Sequence, residues 1–190
     1  LTQGIEGRVV FGAPDDIGYI AVPQILKRFA STHPQVEVDV KLRSSDDLRR
    51  LCDAGELDLA VLACGEYGQR KVTIVHTENL VWAGLKHGGA ISREPLPLAL
   101  ASRGCAWRAI ALDALDAANV RYRIAYSSGH SQGQIAAVLA DLAIAPLPES
   151  HVTAPLQKLG AAEGLPPLRQ YEVALMKRRG CSAVADALAE

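Results

Sequence analysis

The chain alternates between two hydrophobic periods, and the switches between them mark its elements. Arg8-Val9-Val10-Phe11-Gly12 is a short apolar run closed by glycine, the signature of a buried strand. Tyr19, Val22, Ile25, Leu26 and Phe29 then recur at three- and four-residue spacing, which predicts an amphipathic helix. Pro23 falls inside that stripe and must either kink the helix or mark an early turn, because proline donates no backbone N–H. His33-Pro34 closes the segment, since a residue before proline avoids the helical region. Val36-Glu37-Val38-Asp39-Val40-Lys41-Leu42 alternates strictly and predicts a strand with one buried and one polar face, as suits the outside of a sheet. Ser44-Ser45-Asp46-Asp47 opens a second helix carrying Leu48, Leu51 and Cys52. Ser44 and Asp47 have the spacing of a capping box, and Gly55 suits the helix end. Residues 57–63 form a third strand.

Strand, helix, strand, helix, strand with short connections implies a parallel sheet with right-handed crossovers. Ligands of such sheets sit beyond the carboxyl ends of the strands, where helices begin. Asp15, Asp16, Ser44, Ser45 and Cys64 fall at such ends. Further along, residues 80–85 read as a strand, and Pro95 and Pro97 frame a loop leading into a short run at 98–101. A helix over 105–118 follows, then a strand at 122–126 ending in Ser127-Ser128-Gly129-His130-Ser131. A helix at about 132–142, a short strand at 143–146, a strand at 171–176 and a helix at 182–188 complete the chain. Trp82 and Trp107 read most simply as core or surface aromatics. No internal repeat or low-complexity segment interrupts the pattern.

Composition narrows the function classes. Of 190 residues, 49% are hydrophobic and 22% charged, with a formal net charge of -1, which is ordinary for a globular protein. Phosphate binding needs clustered Lys and Arg, so this segment is not expected to carry a nucleic-acid surface of its own. The densest basic run, Lys177-Arg178-Arg179, reads as a solvated strand end. Cysteines at 52, 64, 105 and 181 lack paired spacing, which favours reduced thiols over a disulfide framework or a zinc site. Cys52 and Cys64 lie in apolar runs and read as small core residues. No apolar run approaches the roughly 18 residues that span a membrane, and the first residues carry no signal-peptide pattern. The start at Leu1 suggests a piece of a longer or processed chain.

Taken in order, these residues resemble the effector-binding domain of LysR-type transcriptional regulators. The resemblance rests on the strand ending in Gly12, then Pro23, Leu26 and Phe29, and then Pro34-x-Val36. Ser45-x-x-Leu48, the run Gly55-Glu56-Leu57-Asp58-Leu59-Ala60, and Ile144-Ala145-Pro146-Leu147-Pro148 complete it, while Leu1-x-x-Gly4-x-x-Gly7 resembles the exit from the family's linker helix. Each motif is weak alone; their order and spacing over nearly the whole chain make the match. The sequence departs from the family at Ala140-Asp141-Leu142-Ala143, where glycines are usual, so that loop is expected to be reshaped.

The resemblance implies a two-lobed α/β fold like that of type 2 periplasmic binding proteins, with mostly parallel sheets flanked by helices and two crossover strands. Lobe I would comprise residues 1–66 and 150–190, and lobe II residues 67–149. It implies that a winged helix-turn-helix and a linker helix precede this segment in the full protein. That protein would bind promoter DNA as a homodimer or homotetramer in the cytoplasm, while this segment senses a small molecule between the lobes. The family's cleft maps onto Pro14, Asp15 and Asp16, onto Ser44 and Ser45, onto Ala63 and Cys64, and onto Ser127, Ser128 and His130 of the second lobe. Neither a cofactor nor a metal is implied.

Family members hold carboxylates at such positions with hydroxyls and helix N-termini, which favour anions. Two acids in the first loop would repel an anion, so a ligand with a donor-rich or cationic group meeting Asp15 or Asp16 is expected, its other end fixed by the serines. Asp16 would also serve as the N-cap of the first helix, and Ser44 as that of the second.

Three other readings compete. An enzyme would need nucleophile and base aligned, but Ser127, Ser128, His130 and Ser131 are close neighbours on one loop, and no G-x-S-x-G elbow or metal-ligand spacing appears. A free-standing solute-binding protein of the same fold is the second. The third keeps the regulator but makes the domain chiefly an assembly surface, with Leu26 and Phe29 supplying apolar area.

Overall fold

The computed structural model describes residues 6–63, 72–180 and 182–189. Two compact units emerge, residues 1–76 with 172–190 and residues 77–171. In the first unit, strand β1 (Gly7–Ala13) lies between β2 (Val36–Leu42) and β3 (Leu59–Ala63), parallel to both. Strand β9 (Gln170–Lys177) then adds antiparallel to β3. The strict alternation of β2 suits its place at the sheet edge. Helix α1 (Asp15–Thr32) follows β1, and α2 (Ser45–Asp53) follows β2. The buried cluster of Leu48, Cys52, Leu57, Ala60, Leu62 and Met176 joins α2 to the sheet. Near the other end of the chain, α5 (Ala183–Ala189) packs on β1, with Val184 close to Gly7.

Two expectations change here, and a third narrows. Pro23 marks no early turn: it sits exposed inside α1, which continues to Thr32. The N-cap of α1 is Pro14, with no side-chain cap, so Asp15 and Asp16 are its first two helical residues and Asp16 is not the cap. Phe29 is buried and its ring stacks on His33 at 4.8 Å, so it lends the core its area and leaves none for a partner. Cys52 is buried, as expected.

In the second unit, β5 (Leu96–Ala101) is buried along its length and pairs in parallel with β6 (Tyr122–Ser128). Helix α3 (Ala106–Ala117) covers the side carrying Leu96, Leu98 and Leu100. Helix α4 (Ser131–Leu139) covers the side carrying Ala99, through Ala137 and Val138. Strands β7 (Ala145–Pro148) and β8 (Leu156–Leu159) both pair antiparallel with β4 (Val72–Leu85). Trp82 and Trp107 are both core residues, and the indole N–H of Trp82 donates to the Pro166 carbonyl at 2.9 Å.

The chain leaves the first unit within β4, after His76, and returns within β9, after Tyr171. Those divisions lie well beyond the expected 66/67 and 149/150. Leu156, Leu159 and Leu165 join the buried clusters of the second unit, which keeps residues 150–171 with it. The first half of β4 was not visible in the pattern because residues 73–77 are all exposed and carry no alternation.

Candidate functional site

At the carboxyl ends of β1 and β3, the sequence brings several predicted residues together. The Arg43 N–H donates to the Ala13 carbonyl at 3.2 Å, drawing the loop before α2 against the end of β1. Pro14 is buried beside that junction and Asp15 is half-buried. Asp15 and Asp16 therefore sit in the first turn of α1, where the helix's unpaired N–H groups favour negative charge. Ser44 is the N-cap of α2: its hydroxyl oxygen accepts the Asp47 N–H at 3.2 Å and donates to the Asp47 carboxylate at 2.9 Å. In an ordinary capping box the carboxylate would reach back to the cap's own N–H; here it takes the hydroxyl instead. Ser45 accepts the Ala63 N–H at 3.1 Å, tying the start of α2 to the end of β3. Asp46 and Asp47 are paired with Arg49 and Arg50 on the same helix. Cys64 lies outside the described residues.

At the carboxyl end of β6, Ser127 is exposed and Ser128 half-buried. The Ser128 hydroxyl oxygen accepts the backbone N–H of His130 at 3.1 Å. His130 is the exposed N-cap of α4 and provides no side-chain cap. A β-carbon at Gly133 would overlap the Ser128 hydroxyl, so glycine is what lets the first turn of α4 press against the strand end. Ser131, weighed above only as a nucleophile, and Gln134, which the pattern did not single out, belong to the start of that helix. Ser131 and Gln134 are buried, and their oxygens Oγ and Oε1 lack hydrogen-bond partners among the described residues. Their spacing was the available signal: positions 131, 134 and 138 fall on one helical stripe, of which only Val138 is apolar.

The two sets differ in charge. Acids open α1 and α2, whereas α4 has no ionisable residue along its length. Among the described residues, no three His, Cys, Asp or Glu gather as a metal site.

The departure at residues 140–143 has a structural cause. Asp141 adopts a positive φ of 53° and its carboxylate accepts the N–H groups of Gly89 at 2.8 Å and Ala90 at 3.0 Å. It thereby caps the 3₁₀ turn Ala90–Ser92. Those two hydrogen bonds hold its pKa below the ordinary range against a small opposing effect of burial, with Arg93 assisting at 3.7 Å.

A family model described as the LysR substrate binding domain matches residues 2–190. The chain belongs to this family. This LysR domain is 32% identical over 188 residues to the HTH-type transcriptional regulator DgdR of Burkholderia cepacia, covering 98% of the chain and 64% of the relative. It is 27% identical over 168 residues to the HTH-type transcriptional regulator PecT of Dickeya dadantii strain 3937, covering 88% and 53%. The domain thus spans less than two thirds of either regulator's length. Among solved structures, the C-terminal domain of a probable LysR family transcriptional regulator from Rhodococcus sp. RHA1 superposes with a TM-score of 0.79 at 20% identity, covering 97% of each chain. The effector binding domain of QuiR in complex with shikimate superposes equally well, at 0.79 and 14% identity, covering 97% of this chain and 94% of that one. These likenesses establish the two-lobed effector-binding-domain fold. The relatives are transcriptional regulators, so a free-standing solute receptor is not the favoured alternative.

Proposed function

We propose that this LysR domain is the sensor of a DNA-binding transcriptional regulator and responds to a small-molecule effector. The observation that carries the reading is the family match over residues 2–190. Promoter DNA would be held by a winged helix-turn-helix outside this segment, with the full protein a homodimer or homotetramer in the cytoplasm. No helix among the described residues is long and apolar enough to cross a membrane.

The effector carries a donor-rich or cationic group that meets Asp15 or Asp16, with Ser44, Ser45, Ser127, Ser128 and His130 contributing to the rest of its site, along with Pro14, Ala63 and Cys64. Support comes from the start of α1, where both acids occupy the first turn at the end of β1. A thermal-shift screen of this domain against amines, amino acids and carboxylates tests the reading. A ligand at a hundred times its Kd adds about 2.7 kcal/mol, a rise of roughly 5–10 °C. The expected hit carries a basic nitrogen and weakens in Asp16→Asn; an effector bound equally well by that variant would remove Asp16 from the site.

A further inference from the structure

The inward face of α4 begins polar and turns apolar. Ser131 and Gln134 stand on the stripe that continues as Val138, and they are 6% and 2% exposed. Among the described residues, the Ser131 hydroxyl oxygen and the Gln134 carboxamide oxygen have no hydrogen-bond partner. A buried acceptor left unpaired is costly, and natural proteins keep few of them, so such atoms call for a partner that arrives from outside the chain.

The surroundings say what that partner is. Helix α4 reads Ser131-Gln132-Gly133-Gln134-Ile135-Ala136-Ala137-Val138-Leu139, without a charge, and it packs on Ala99 and against Ser128. Its first turn also leaves N–H groups without intrahelical acceptors. The His130 N–H is taken by Ser128, and the Gly133 N–H by the His130 carbonyl at 3.1 Å. A carboxylate entering here would bring only acceptors to the Gln134 oxygen. An ammonium would lose its water with no counter-charge to replace it. A neutral group that both donates and accepts matches the Gln134 oxygen and the Ser131 hydroxyl together. The closeness of Gly133 to Ser128 restricts it to a small one.

Building on the sensing function above, we propose that Ser131 and Gln134 are specificity-determining residues of a subsite at the start of α4 that takes a carboxamide or alcohol group of the effector. The group donates to Gln134 Oε1 and accepts from the Ser131 hydroxyl. A subsite of this kind rejects a carboxylate of the same shape.

The test compares the wild-type domain with Gln134→Met and Ser131→Ala. Removing an unpaired buried acceptor should raise the melting temperature of free Gln134→Met by about 2–6 °C. Thermal shifts are then read with matched probes: asparagine and aspartate, glutamine and glutamate, glycerol and glycerate. The expected result is a larger shift with the neutral member of a pair, at least halved in both variants. A lowered melting temperature in free Gln134→Met would mean that its oxygen already has a partner, and would overturn the proposal. Larger shifts with the charged members, or hits that both variants keep in full, would overturn the subsite and leave the sensing function standing. A wild-type domain that responds to none of the six probes or the wider metabolite screen would overturn both.

Discussion

Asp58, within the run Gly55-Glu56-Leu57-Asp58-Leu59-Ala60, holds three parts of the first unit together. Strand β3 pairs with β1 only from Leu59 onward, opposite Phe11, so the N–H of Val10 extends past the end of the ladder. One carboxylate oxygen of Asp58 accepts that N–H at 2.9 Å, in place of a strand partner. The other accepts from the Arg178 guanidinium at 2.8 Å, just beyond the end of β9. The Asp58 side chain is 15% exposed and that of Arg178 33%. A hydrogen bond to a charged group contributes about 1.5–3 kcal/mol, and water replaces part of the share of a third-exposed arginine. Asp58→Ala should therefore cost about 3 kcal/mol and lower Tm by roughly 6–12 °C. Asp58→Asn keeps an acceptor for Val10 and should cost about half as much. Urea titration of Asp58→Ala, Arg178→Leu and the double variant measures the pair directly, with an expected coupling of about 1 kcal/mol. A single-variant loss below about 0.5 kcal/mol, or strict additivity, would refute this account of Asp58.

Gly12→Ala should destabilise by about 1–3 kcal/mol, read by the same titration, because its β-carbon would lie 2.5 Å from Leu48 Cδ2 and 2.9 Å from Leu57 Cδ1, both on fully buried side chains. Glu78 accepts the Ser150 N–H at 2.9 Å and the Tyr171 hydroxyl at 3.0 Å. Burial alone would raise its pKa, but those hydrogen bonds and the nearby His151 together hold it below the ordinary glutamate range. A depressed folded-state pKa gives stability that is complete above the unfolded value and lost as pH falls through and below about 4.3. Melting curves should therefore show a smaller loss between about pH 5 and pH 3 in Glu78→Gln than in wild type. Asp141→Ala removes the acceptor for Gly89 and Ala90 and leaves at a positive φ a residue that tolerates it less well than aspartate, so hydrogen exchange at those two amides should quicken by on the order of tenfold. Asp141→Asn, which tolerates that backbone, should keep most of the protection.

The order of most elements, the parallel pairing around β1, the Ser44 cap and the family were all legible in the residues. Each depends on spacing within a few residues or on motifs taken in chain order. Hydrophobic period, caps and turn residues are local, and they survive in any fold that uses the same helix or strand. The first helix cap differs from the expectation because an acid beside a helix start satisfies the same pattern at the cap or within the first turn; Pro14 takes the boundary. Folding in three dimensions was needed to reveal partners separated along the chain, such as Val10 and Arg178 on Asp58, 48 and 120 residues away. The unit boundaries were also beyond local pattern, since they depend on where Leu156, Leu159 and Leu165 find their core. Ser131 and Gln134 show the limit most clearly. Their place on the buried stripe could be read from spacing, but that their oxygens lack a partner among the described residues appears only in the folded chain. A hydrogen bond is satisfied or unsatisfied by whatever lies within about 3 Å, and sequence distance says nothing about that.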